Sequence, residues 1–405
     1  MKEIMSRRKK LLVLVTVLLL LSQIPFAYRR YQLNRLDKAI QLLNGERKPA
    51  PEDNWVEYTG VVHVHSFLGG HSSGTFQEII AAAKLNKLQF VVMTEHVQRE
   101  INTAAMTLQG IHDGVLFVNG NEVKTSNADR LLVVPGEEAL ANSEKLSTAE
   151  VVATSRNSGA LSIIAYPEEF QSWQNQNDIG LEVYNVYTNS RRVNPVVAFF
   201  DVLWSHRAYP DLIFANYFQR PEPALKKWDE LLAHGKLVAV AGNDSHANIG
   251  ISLNTSNGSQ LIGLKLDPYE TSFHLVRLHV LIAKGKSLES KSLLDSIQAG
   301  HCFIGFDLFG DPKGFRFEAQ NGATTAIQGD DIQFRKGTKL KVSLPVPARL
   351  VVLKDGNVFA EETGVTAKEI EVTERGVYRV EAFLPQLGGS VGQQSWIISN
   401  PIYVK

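Results

Sequence analysis

Between residues 55 and 310 short apolar runs alternate with stretches of helical spacing, which restricts the chain to βα units around a mainly parallel sheet or barrel. The runs span 58–65, 90–94, 115–118, 131–134, 161–165, 180–186, 211–215 and 237–241. Helical stretches intervene, for example at 149–157 and 223–233, and Thr75-Phe76-Gln77-Glu78 is a capping box that starts a helix over 76–86. About seven or eight such units closing on themselves make a barrel with its chemistry at the C-terminal ends of the strands.

What stands at those ends is therefore decisive. His63 and His65, two apart in Val61-Val62-His63-Val64-His65, share one face of a strand where it stops. Alone, such a pair fits the polar side chains of an exposed strand. His71 follows on a glycine-flanked loop that can fold back toward the pair. Glu95 and His96 leave the 90–94 run, Glu122 follows Asn119-Gly120-Asn121, and Asp244 and His246 leave the 237–241 run. Five of the eleven histidines thus share one rim, with carboxylates beside them. That mixture suits Zn, Mn or Fe, and Glu122 can bridge two ions. Cys302 is the only cysteine, which excludes an internal disulfide and a thiolate cage.

Other polar residues are secondary candidates. Glu95 flanks a ligand and reads as an orienter of imidazole, or as a metal or substrate contact. Glu182 and Asn185 end the 180–186 run and are expected to support ligands or touch substrate. Arg191 and Arg192 lie just beyond, where a guanidinium could grip a phosphate, although a solvated loop pair is the plainer reading. His206 has similar standing, and His279, among alternating apolar residues, reads as structural. Lys+Arg and Asp+Glu both number 42, so nothing points to a nucleic-acid scaffold.

Taken in order over residues 58–306, these motifs resemble the PHP (polymerase and histidinol phosphatase) family. The resemblance implies a distorted (βα)7 TIM-like barrel, akin to that of the amidohydrolases, holding about two to three divalent metal ions. It places His63, His65, Glu122 and Asp244 around one ion and His71, His96 and His246 around another, with Asp244, Glu122 and His246 carrying catalysis. One departure stands out: Tyr166-Pro167 occupies the place of the family's His-Pro. A phenol with a pKa near 10 is a poor ligand at neutral pH. The second metal is then weak, absent or held by Tyr166 as phenolate, unless Tyr166 serves a leaving group. The implied function is metal-dependent phosphoester hydrolysis. Alternatives are hydrolysis of an amide or ester, which related barrels perform, and a binding or scaffold role, which Tyr166 favours.

Lys2, Arg7, Arg8, Lys9 and Lys10 precede an apolar stretch over 11–28, which reads as a signal anchor or a signal peptide. Pro25-Phe26-Ala27 makes a poor cleavage site, so an uncleaved anchor is expected, with the body outside the cytoplasm. Leu36, Ile40 and Leu43 repeat at helical spacing, and Lys48-Pro49-Ala50-Pro51 is a stiff spacer, together a stalk over 29–54. From residue 310 the alternation turns to period two with glycine and aspartate turns, as expected of a small all-β sandwich over 310–405. The division is 1–28, 29–54, 55–309 and 310–405, with the last part an accessory whose removal leaves metal binding intact. A phosphorylated small molecule or envelope component is the expected partner.

Overall fold

The computed structural model describes residues 6–173, 179–191, 193–247, 250–254, 260–265 and 267–405. Seven of the eight apolar runs form strands: β1 Trp55–Val64, β2 Phe90–Met93, β3 Val115–Val118, β5 Arg130–Val134, β6 Leu161–Ala165, β7 Gly180–Asn185 and β8 Val238–Gly242. Three further strands matter here, β4 Asn121–Lys124, β9 Arg277–Ala283 and β10 Cys302–Gly305. The exception is 211–215, which lies in a 3-10 helix, Leu212–Asn216, with Leu212, Ile213 and Ala215 buried. So short an apolar run carries no period to separate strand from helix.

The architecture is mixed α/β, but less regular than a run of βα repeats. β1, β2 and β3 are parallel, as are β6, β7 and β8. β4/β5 and β5/β6 are antiparallel. The link between β4 and β5 is too short for the dozen-residue crossover that a parallel pair requires, so a hairpin results. Gly250–Asn254 and Gln260–Lys265 pair separately, and the strands named above fall into two sheets rather than one closed barrel. Their edges meet at the rim, where the Asn243 amide donates to the Val62 carbonyl at 2.9 Å and the His65 amide to the Ser245 carbonyl at 3.1 Å.

The C-terminal strands do not form a free-standing sandwich. β10 pairs antiparallel with Ser395–Ser399, so the first sheet continues into Gly376–Phe383, Lys339–Lys354 and Arg316–Asn321. Buried ion pairs reinforce the join: Arg379 grips Asp229 through two 2.7 Å bonds, and Arg220 grips Glu381 at 2.7 and 2.9 Å. Asn400 accepts from the Ala239 amide at 2.8 Å and donates to the Ala239 carbonyl at 3.0 Å, completing β8 from the side.

At the N-terminus, Arg7–Ser22 and Ile24–Gly45 form a helical segment long and apolar enough to cross a membrane, with the side chains at 11–21 exposed. The expected stalk is instead a docked helix. Leu33, Leu36 and Leu43 are buried, and Asn34 donates to the Tyr209 hydroxyl at 2.7 Å. The apolar repeat that predicted the helix is what glues it to the body.

His279 is structural, as its alternation suggested. Wholly buried, it meets Glu57 at 2.8 Å and Asp307 at 3.1 Å, while Arg316 pairs with Glu57 at 2.8 Å. Burial alone would push the imidazole down; Asp307 and Glu57 outweigh it and raise it to about 9. An imidazole raised above its unfolded value near 6.5 stabilises fully below that pH and stops doing so as pH rises through about 9. Between pH 6.5 and 10 the unfolding free energy should therefore fall by about 3 kcal/mol more than in His279→Gln, read from denaturant unfolding at each pH. Parallel pH profiles would refute the assignment.

Candidate metal centre

The rim residues are positioned by backbone that ordinary strands do not use. His63, Tyr166 and Asp244, at the ends of β1, β6 and β8, have φ of 67°, 50° and 50°. Non-glycine residues enter this region at a cost, which surrounding structure must offset. A bulge between Val62 and Val64 accompanies the first. Simple alternation therefore does not explain why His63 and His65 converge. The bulge and the turned backbone do.

The two carboxylates are divided in the same way. Glu122 Oε1 accepts from Arg130 at 2.7 Å, while Oε2 faces His63 Nε2 and His65 Nε2 at 3.3 Å and His96 Nδ1 at 3.4 Å. Asp244 Oδ2 accepts from the Tyr166 hydroxyl at 2.6 Å and from Asn185 at 3.3 Å. Its Oδ1 faces His63 Nε2 at 3.5 Å and His65 Nε2 and His246 Nδ1 at 3.4 Å. Each carboxylate is thus anchored by one oxygen and presents the other to imidazole nitrogens. Those separations exceed the 2.7 Å bond that His63 makes through Nδ1 to Glu182. They match the edge of a tetrahedron of donors with arms of about 2.1 Å, roughly 3.4 Å. Asp244 Oδ1 and both ring nitrogens of His65 are buried without a hydrogen-bond partner. His63, His65 and Glu122 form one group of convergent ligand atoms, and His65, His96 and His246 a second. The residues fit a divalent ion, which would satisfy Asp244 Oδ1 and one ring nitrogen of His65.

Electrostatics agree. Burial pushes Glu122 up, but the facing imidazoles hold it well below the usual carboxylate range. Burial likewise pushes His63 and His65 down, yet the carboxylates raise both. This is a centre built to hold positive charge. Burial and neighbouring imidazoles depress His96 to about 3 and His246 to about 4, so both offer lone pairs at neutral pH. Burial, together with Asp244, Glu122 and Glu182, pushes the Tyr166 phenol far up. Tyr166 is therefore a proton donor to Asp244 in this arrangement rather than a phenolate.

Other expectations need correction. Glu95 orients no imidazole: it accepts from the Ser66 amide at 3.0 Å, the Ser66 hydroxyl at 2.5 Å and Thr107 at 2.9 Å, pinning the turn after His65. The orienter of His63 is Glu182, held by Asn185 at 3.0 Å. His71 lies at the exposed lip, its ring edge-on to His96 at 4.9 Å, in neither ligand group. Arg191 bonds Glu169 at 2.8 Å and stacks 4.9 Å above Tyr187 at the mouth. Arg192 lies outside the described residues. Arg130 was missed because the apolar run begins one residue later. Its signal was the Asn121–Val134 hairpin, whose register sets it opposite Lys124 and diagonal to Glu122.

Above the ligands opens a cavity of about 530 Å³ bordered by Lys124, Arg130, Tyr187 and Arg191. Tyr166→Phe removes the phenol from Asp244 and should weaken metal binding about 10- to 100-fold with the fold intact. Titration with Mn or Zn against the wild type checks this; unchanged affinity would show the contact to be incidental.

No family model matches the sequence, and no curated protein does. Among solved structures, a two-domain protein containing a predicted PHP-like metal-dependent phosphoesterase from Bacteroides vulgatus is 12% identical over 88% of this chain and 98% of that one, TM-score 0.40. PsfC from Pseudomonas syringae is 13% identical over 60% and 89%, TM-score 0.36. Endonuclease Q, bound to a 27-mer duplex with an abasic lesion, is 13% identical over 60% and 56%, TM-score 0.33. Likenesses this loose leave the function to be read from the side chains.

Proposed function

We propose that the chain is a metal-dependent phosphoesterase of PHP type, anchored by its N-terminal helix with the body outside the cytoplasm. The carrying observation is the divided carboxylate pair: Glu122 and Asp244 each give one oxygen to a fixed protein donor and the other to facing imidazoles. Divalent ions held by His63, His65, His96, His246, Glu122 and Asp244 would acidify a water and neutralise charge developing on phosphoryl oxygens. Around them, Glu182 fixes the ring of His63, and Asn185 and Tyr166 fix Asp244. Lys124 at the mouth, beside Arg130 and Arg191 in their pairs with Glu122 and Glu169, supports an anionic substrate. The Tyr166 proton is committed to Asp244, which sets aside a role toward the leaving group in this arrangement.

The basic residues at 7–10 before the apolar helix support a cytoplasmic N-terminus. The substrate would be a phosphorylated envelope component or small molecule. The test uses the full chain in detergent with p-nitrophenyl phosphate and bis(p-nitrophenyl) phosphate, each with Mn, Zn or Fe. Metal-dependent release of p-nitrophenol that chelator abolishes is expected. Metal-dependent cleavage of p-nitrophenyl acetate with neither phosphoester cleaved would overturn the reading in favour of an acyl hydrolase.

A further inference from the structure

Helix Pro195–Ser205 is amphipathic the wrong way round for a water-soluble body. Val196, Phe199 and Leu203 form one stripe and are 64%, 49% and 66% exposed, while its polar Asp201 and Ser205 are buried. A surface helix in water turns its apolar stripe inward. Here the inward face is held by polar bonds as well as apolar contacts. Arg29 of the N-terminal helix grips Asp201 through two bonds of 2.7 and 2.5 Å, Trp204 donates to Gln23 at 3.1 Å, and Phe26 stacks on Phe200 at 4.8 Å. These contacts fix the stripe beside residues 23–31, where the chain leaves the apolar Arg7–Ser22 helix. Ile24, Tyr28 and Tyr31, spaced four and three apart on that segment, are exposed as well.

We infer that Val196, Phe199 and Leu203, with Ile24, Tyr28 and Tyr31, form one lipid-facing surface that seats the body on an anionic bilayer. Three observations choose lipid over another occupant. The surface is continuous with a helix whose exposed apolar side chains themselves need lipid. Its exposed tyrosines are of the type that settles at the headgroup level. Arg35 and Arg207 stand exposed just beyond the ends of these two segments, suiting anionic headgroups. The stripe would lie in the interface plane, as amphipathic surface helices do, making a second attachment besides the span. Loss of rotation about the anchor follows.

The inference rests on the anchor reading, and the experiment separates the two. Cys302 is wholly buried, so single cysteines can be labelled with bimane in the full chain. Phe199→Cys, Leu203→Cys, Leu14→Cys and the distant exposed Val358→Cys are reconstituted in nanodiscs of phosphatidylcholine with phosphatidylglycerol. Nitroxide-labelled lipid should quench 199 and 203 at least about threefold more than 358, iodide should reach them less, and both effects should shrink without phosphatidylglycerol. Quenching at 14 with iodide reaching 199 and 203 as freely as 358 would overturn the inference and leave the anchor standing. Shielding of 199 and 203 from both quenchers would mean that a protein partner covers the face, which also overturns it. Absence of lipid quenching at 14 would sink the anchor reading and the inference with it.

Discussion

Asp244→Asn should lower phosphoester turnover on the order of 10³-fold or more, with the protein still folded and its metal content reduced. The carboxylate does two things that an amide cannot combine. Its Oδ2 takes the proton of Tyr166 and a bond from Asn185, while its Oδ1 faces three imidazole nitrogens without a bond of its own. An amide that keeps its oxygen toward Tyr166 turns an NH2 group into the ligand cluster; flipped, it sets that NH2 against two donors. Either way a unit of negative charge leaves a centre already holding raised imidazoles. Circular dichroism checks the fold, and elemental analysis with p-nitrophenyl phosphate turnover reads the effect. Retained turnover with full metal content would remove Asp244 from the centre.

Deleting residues 310–405 should abolish folded protein, against the first expectation that an accessory could be removed freely. Without those residues β10 loses its partner strand, and Arg220 and Asp229 lose Glu381 and Arg379. A buried pair broken on one side costs about 3–5 kcal/mol, and two are broken together. The milder Asn400→Ala isolates the link to the site. It leaves the Ala239 amide and carbonyl without their side-chain partner, which should cost about 2–4 kcal/mol of stability. Because β8 ends two residues before Asp244, metal affinity should fall in the same variant. Denaturant unfolding and metal titration together decide it: lost stability with unchanged affinity would confine Asn400 to a structural role.

Most strands were legible because their apolar runs end in turn or polar rim residues and alternate with helical stretches. The run at 211–215 was not, since its four apolar residues fit either element. The ligand residues could be listed from the rim motifs, whereas the means of bringing them together could not. Nothing in Val62-His63-Val64 announces a bulge, and nothing in Glu95 says that its oxygens turn back to Ser66. Arg130 went unseen because cross-strand pairing depends on register, which a single sequence leaves open. The stalk failed for a related reason: Leu36 and Leu43 predict a helix with an apolar face, and only the fold shows that the body covers it.

Asn400 and Ala239 lie 161 residues apart in the chain, yet one completes the strand that carries Asp244. A contact of such long sequence separation requires a large loop to close before it rewards the chain. A nascent chain that has not yet released residue 400 therefore holds the donors of its centre on an unfinished strand. The last residues of the chain are thus needed before the strand that carries Asp244 is complete.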